Sequence, residues 1–324
     1  MVAIVTDNAA NMKKMRSLVQ TNKPNLIQYG CSAHQLNLLS KDLNRTIVVQ
    51  SVAEITKSFR NTHLLHSWLQ NQGATKPPVP SEVRWNSYID LLRWYEREWY
   101  NLKKIVDENA EYFSGNAVAS KIKDLMLYQA VEDAIKCLTP ISVALDVIQS
   151  GYCSVADAVE AWKDVLAAFR TFSESDYGKV EKRYKEAVLP VWFVSNILHP
   201  KYLGQRLQRE ETKQAIEWVQ KNANDSYSCF VNFIGGDKSN FASAFQNYSG
   251  CKLRNFVECQ KSIGEISDNL ATLCCTCLAL RPSSAGIERI FSSMGLVHSE
   301  LRNRLSQEKV SKLAFCLRLL NDHN

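Results

Sequence analysis

Two carboxylates stand where the chain could do chemistry. Asp7 directly follows Val2 to Thr6, a continuous apolar run with β-branched residues, as expected of a strand buried on both faces. In open α/β sheets functional groups collect in the crevice beyond the carboxyl ends of strands, so an acid here is well placed. Its alternative use is local: Asp7 can simply cap the helix that follows. Glu288 lies within RPSSAGIERIFSSMGLVHSELRNRL, from Arg281 to Leu305. Pro282 stops what precedes it and Ser283 or Ser284 can cap. Ile287, Ile290, Phe291 and Met294 then recur at i, i+3, i+4 and i+7, one apolar face of a short helix. Glu288 borders that face, either as a surface charge or as a group aimed into a crevice.

Other residue types could contribute. Cys31 and His34 are three apart and share the first-turn face of a helix spelled CSAHQLNLLSKDL. Two ligands are too few for a structural zinc site, so His34 reads either as a site-organising residue or as a structural hydrogen-bonding one. Cys274, Cys275 and Cys277 sit in the apolar run LATLCCTCLAL, where cysteine serves most simply as a small core residue. Arg84 and Trp85 stand at the entry to a long helix ending near Val106, and a Trp near a helix start is commonly a core anchor. That helix carries Arg93, Trp94, Arg97, Trp99, Lys103 and Lys104. Such a mixture suits a nucleic-acid backbone, but Asp90, Glu96 and Glu98 dilute it, and a solvated face over a buried aromatic side is the plainer expectation.

The elements that must position these groups follow from periodicity. After the first strand, Met12, Met15 and Leu18 or Val19 mark the inner side of a helix. Leu26 to Tyr29 gives a second strand closed by Gly30, and the helix between them makes the two strands a parallel pair. Thr46 to Gln70 repeats near 3.6 residues, and KPPVP at Lys76 to Pro80 breaks it. Ala117 to Phe172, Tyr177 to Leu198 and Glu210 to Ala223 continue as amphipathic helices with no strand-like alternation. Ser228 to Phe245, with the residues after it to Lys252, reads as a polar, partly flexible connector to which no role is assigned. A last helix is specified by Ser306 as cap, a Leu305 and Val310 staple, and a stripe of Val310, Leu313, Ala314, Leu317 and Leu320.

Composition narrows the class. The chain has 324 residues, enough for one to three domains, and ordinary globular proportions of 45% hydrophobic and 22% charged residues. Its 39 basic and 33 acidic residues give +6, a mild preference for a polyanionic partner. No run of about 18 apolar residues would span a membrane, and the start lacks the pattern of a signal peptide. Ten scattered cysteines without a repeated CxxC pair imply a reduced, intracellular setting.

Four stretches, in order, resemble hAT-superfamily DNA transposases: VTDNAANM (Val5 to Met12), CSAHQLNLL (Cys31 to Leu39), VRWNS (Val83 to Ser87), and ERIFS followed by LRNRLS near the carboxyl end. The resemblance implies a mostly α chain with a small α/β remnant, a partial ribonuclease-H-like fold interrupted by a large helical insertion. Residues 1–60 would be the partial catalytic core, 61–265 the helical insertion, and 266–324 the returning core helix and dimerisation region. Family chemistry sets two divalent ions between three acids to cleave and transfer DNA strands. Asp7 matches the second acid and Glu288 the third, both as metal ligands, while the C-x-x-H pair places His34 beside the site. Trp85, with Arg84, would stack on a displaced base. NILHPKYLG resembles a segment in which an acid precedes the Pro, but His199 stands there.

The first acid normally lies upstream, and the chain begins six residues before Asp7, so no residue is assigned to it. Mg²⁺ or Mn²⁺ would bind only if the full acidic site were completed, because two carboxylates hold such an ion poorly. The expectation is therefore a truncated or domesticated relative without catalytic activity. It would form a homodimer through Ile290, Phe291, Leu305, Val310, Leu313 and Leu317, with DNA or chromatin proteins as further partners and no small-molecule substrate. A working transposase represented by an incomplete chain is the alternative, and an unstable fragment without an independent role is the second. The nuclear location comes from the resemblance, the only basic cluster being KKMR at Lys13 to Arg16.

Overall fold

The computed structural model describes residues 3–43, 45–78, 87–246 and 253–297, with 306, 308–309, 312–313 and 315; for 292–297 the backbone alone is described. The chain is mostly helical with one small parallel sheet. Strand β1 (Ala3–Thr6) leads through α1 (Ala10–Asn22) to β2 (Ile27–Gly30), and these two strands pair in parallel with Ala3 opposite Ile27 and Thr6 opposite Gly30. This is the strand, helix, strand unit expected from the sequence. Helix α1 turns Met12, Met15 and Val19 partly inward, whereas Leu18 faces solvent.

The remaining helices are α2 (Ser32–Asp42), α3 (Thr46–Asn61), α4 (His63–Asn71), α5 (Ser87–Glu108), α6 (Ala117–Lys123), α7 (Leu125–Gln149), α8 (Val155–Phe169) and α9 (Glu174–Ala187). They continue as α10 (Pro190–Leu198), α11 (Arg209–Asn222), α12 (Tyr227–Gly235), α13 (Ser239–Gln246), α14 (Leu253–Ser262), α15 (Asp268–Leu278) and α16 (Ala285–Val297). None among the described residues is long and apolar enough to cross a membrane.

Contacts divide the chain into two compact units, one of Met1–His34, Val147–Glu160 and Ala187–Asn324, the other of Gln35–Asp146 and Ala161–Glu186. These do not follow the three sequence blocks 1–60, 61–265 and 266–324. Residues from Ala187 onward pack with the strand pair because α10 brings a nearly all-apolar turn, PVWFVSNIL, that is buried on every side.

In the second unit α3, α4, α5 and α6 pack together through Val52, Ile55, Phe59, Leu65, Leu69, Leu102 and Ile105. The single helix expected over Thr46 to Gln70 is broken at Thr62, whose extended backbone separates α3 from α4. Helix α5 resolves its mixed composition as the amphipathic reading expects. Trp94 is buried with its indole N–H donating to Thr75 O at 3.0 Å, and Trp99 donates to Ile122 O at 3.0 Å. Buried Glu98 accepts from Thr75 N, Thr75 Oγ1, Arg97 Nε and Asn101 Nδ2, and these hydrogen bonds bring its carboxyl down against the opposing effect of burial. Outside, Lys104 pairs with Glu108 and Lys123 with Asp107.

The expected flexible connector from Ser228 to Phe245 is mostly helix, as α12 and α13. Its aromatic residues decide the outcome: Phe230 and Phe241 are buried, and ring contacts run from Phe233 to Phe241, Phe256 and Phe245. Each buried Phe contributes about 1.5–3 kcal/mol, which outweighs the Gly-Gly-Asp turn signal between them. Of the connector only that turn stays irregular; residues 247–252 lie outside the described ones.

Candidate functional site

The carboxyl end of the strand pair is where the sequence-marked groups collect. Cys31 N–H donates to Thr6 O at 2.6 Å, which extends the pairing one step past β2, and Asn8 Nδ2 donates to Cys31 O at 2.9 Å. Gly30 permits this approach, since a Cβ there would overlap the Asn8 side-chain oxygen. Asp7 is exposed at this rim. Its Oδ1 accepts from Ala9 N at 3.0 Å, a local turn just ahead of α1, while its carbonyl accepts from Arg16 Nη1 at 2.8 Å. Arg16 also donates to Thr6 Oγ1, and burial lowers its guanidinium pKa against the opposing pull of Asp7.

The segment before Glu288 docks on the same rim. Ser32 N donates to Pro282 O at 2.9 Å, and Tyr29 Oη donates to Arg281 O at 2.9 Å. Residues some 250 positions apart in sequence are thereby joined at the end of the sheet. Glu288 itself lies in the first turn of α16, exposed, and its Oε1 accepts from Ser284 Oγ at 2.8 Å. Cys31 is buried at the start of α2 and His34 is half-buried in its first turn.

Whether these residues fit a divalent ion turns on the donor set. Magnesium and manganese need several hard oxygen donors converging on one point. Among the described residues no three of His, Cys, Asp and Glu come together as such a set, and both carboxylates already accept local hydrogen bonds. The described donors do not fit the ion.

Other expected site residues separate. Arg84 and Trp85 lie outside the described residues, as do Leu305, Val310 and Leu317. Ile290 is half-buried, whereas Phe291 is 65% and Leu313 44% exposed. Ile287 and Phe291, one turn apart on α16, both face solvent, while Ile290 beside them is half-buried. Ser306 Oγ accepts from Lys309 N at 3.4 Å, a long contact at the expected cap, and residues 308–309, 312–313 and 315 are helical.

A buried polar cluster behind the rim was missed from sequence. Asp157 accepts from Tyr202 Oη at 2.6 Å and from Ser154 N and Oγ, forming with Ser154 the reciprocal cap of α8. Burial raises the Asp157 carboxyl, but these hydrogen bonds together bring it below its ordinary value. Glu160 accepts from Asn196 Nδ2 at 2.8 Å and from Arg206 Nη1 at 2.9 Å. His199 stacks on Tyr202 with centroids 4.7 Å apart, and its Nδ1 accepts from Lys201 N. Burial lowers the imidazole to about 4 despite the nearby Asp157 carboxylate, so His199 is neutral at pH 7. Leu203 and Gly204 take left-handed φ angles of 52° and 72°, which turn the chain so that Arg206 can return to Glu160.

The cluster braces the rim. Arg281 Nη1 donates to Cys153 O at 3.1 Å beside Ser154, and Tyr29 packs edge-on to Trp192 of α10 at 5.5 Å. Asn196, a polar residue inside the apolar run of α10, was the signal available in the sequence. No protein-family model matches the chain, and none of the curated proteins compared with it matches either.

Proposed function

We propose that the chain is a derivative of an hAT-superfamily transposase that acts without catalysis, as a nuclear homodimer with DNA or chromatin proteins as further partners. The observation that carries the dimer is the exposed apolar face of α16, Ile287 and Phe291, followed in sequence by exposed Leu313. Large apolar side chains grouped on one face and left in water favour association. In this reading β1 and β2 are the remnant of a ribonuclease-H-like sheet, with Asp7 beyond its first strand and the segment before Glu288 returned to its rim. Both carboxylates engage in local hydrogen bonds, Asp7 with Ala9 N and Glu288 with Ser284 Oγ.

Size-exclusion chromatography with light scattering tests the dimer. The expected result is a dimer whose Kd rises at least about tenfold in Phe291→Asp and Leu317→Asp. A monomer at high concentration refutes it. Incubation with transposon-end DNA and Mg²⁺ or Mn²⁺ tests the absence of catalysis, and cleavage that disappears in Glu288→Ala would restore the enzyme reading.

A further inference from the structure

Helix α5 carries Glu96, Trp99 and Lys103 about one turn apart, so the three share a stripe on its surface. From α7, Tyr128 packs its ring against that of Trp99, with centroids 4.5 Å apart and planes tilted by 42°, and both residues stay half-buried. The Trp99 indole N–H is spent on Ile122 O, which fixes the ring and leaves its π faces for other contacts. One of these is already made: Lys103 Nζ lies 5.4 Å from the Trp99 ring centroid. Trp99 also lines a cavity of about 460 Å³ with Tyr100, Lys103, Lys104, Asp107 and Glu108. The charges around this aromatic corner do not cancel. Lys104 pairs with Glu108 at 3.8 Å and Lys123 with Asp107 at 2.7 Å. Glu96 and Glu132, both half-buried, form no ion pair among the described residues, and Glu132 stands one turn after Tyr128 on α7. Burial, and then the negative charges of Glu132 and Glu96, raise the Tyr128 phenol, so both carboxylates act on that ring. Two carboxylates against the single ammonium of Lys103 leave a negative charge beside two aromatic rings, a setting that draws a cation.

We propose that Trp99, Tyr128, Glu96 and Glu132 bind a trimethylated lysine side chain of a partner protein, in the place that Lys103 holds until then. An unmodified lysine gains little there, because Lys103 offers the same ammonium from the same helix at high effective concentration. A trimethylammonium keeps the charge but has no N–H to hydrate, so it gives up less water and touches more of both rings. The displaced Lys103 stays within the field of Asp107, one turn further along α5. A phosphocholine head group carries the same cation, but its phosphate would meet Glu96 and Glu132, so a peptide is the occupant that the charges favour. The corner lies on α5 and α7 and stands whether or not two chains associate.

Calorimetric titration of the full chain decides the matter, with short peptides that differ at one residue: trimethyllysine, lysine, or the uncharged tert-butyl analogue of trimethyllysine. The trimethyllysine peptide is expected to bind at least about tenfold more tightly than either of the others. Tyr128→Ser should raise its Kd about tenfold and Glu96→Gln about threefold, both with unchanged circular dichroism. Lys103→Ala should lower the Kd, since the competing ammonium is gone. No binding of the trimethyllysine peptide by either the wild type or Lys103→Ala overturns the proposal. Equal affinity for the neutral analogue, which would make the contact merely apolar, or for plain lysine, which would make it merely electrostatic, does the same. Binding to phosphatidylcholine vesicles in preference to the peptide overturns the choice of occupant, and a Lys103→Ala chain that binds no more tightly overturns the place-holding role of Lys103.

Discussion

Acid should unfold this protein through His199 before it reaches the carboxylates. The imidazole is buried against Tyr202 with a pKa of about 4, compared with 6.5 when unfolded. In the folded state it stays neutral between those values, while the unfolded chain takes up a proton. Stability that is complete above pH 6.5 is therefore lost as pH falls toward 4, and the loss from this residue levels off below that. The slope approaches 1.36 kcal/mol per pH unit, and the loss from pH 7.5 to 4.5 amounts to about 2.5 kcal/mol. Asp157 adds nothing in this window: its folded pKa lies below 3.8, so its contribution is present above that value and is lost only at lower pH. The assay is urea unfolding at pH 7.5, 6.5, 5.5 and 4.5 for the wild type and His199→Asn. The Asn amide can accept from Lys201 N in place of Nδ1 but takes up no proton. Wild type should lose its advantage over the variant by about 2.5 kcal/mol across the series, nearly all of it below pH 6.5. Parallel curves for the two proteins would refute the argument, since the burial of a neutral imidazole would then not set the acid sensitivity.

Two further substitutions probe packing. Glu98→Ala removes the acceptor for Thr75 N–H, Arg97 and Asn101 inside the second unit and should cost about 2–3 kcal/mol by urea unfolding, with Glu98→Gln restoring part of it. Gly204→Ala meets both a left-handed φ of 72° and the Ile197 Cγ1 atom 2.9 Å from the new Cβ. A loss of about 1–3 kcal/mol is expected, and an unchanged midpoint would show that the turn at Leu203 and Gly204 is not fixed.

What could be foreseen follows the range of the interaction responsible. Val2 to Thr6 declares a strand through its own composition, and Leu26 to Tyr29 does the same twenty residues later. A helix between two strands leaves parallel pairing as the economical arrangement, and Ala3 does lie opposite Ile27. Asp7 reads from the sequence as a rim acid or as a cap for α1; it stands exposed at the rim, and its carboxylate accepts from Ala9 N just ahead of the helix. The α5 aromatics were legible because a helix shows its inner side at a period of 3.6. By contrast, Tyr202, Asn196 and Arg206, the distant partners of Asp157 and Glu160, lie 36 to 46 residues away, and on an amphipathic helix an acid destined for a buried hydrogen bond has the same spacing as one destined for water. Only Asn196 within PVWFVSNIL hinted at them, because a buried amide would be costly in an apolar core unless some partner came from elsewhere in the chain. The same limit explains α16. Periodicity identified Ile287 and Phe291 as one face, but periodicity is indifferent to what covers a face, whether the chain's own core or another molecule. Their exposure therefore adds information that the pattern did not contain, and the proposal of association rests on this exposure and not on the motif around Glu288.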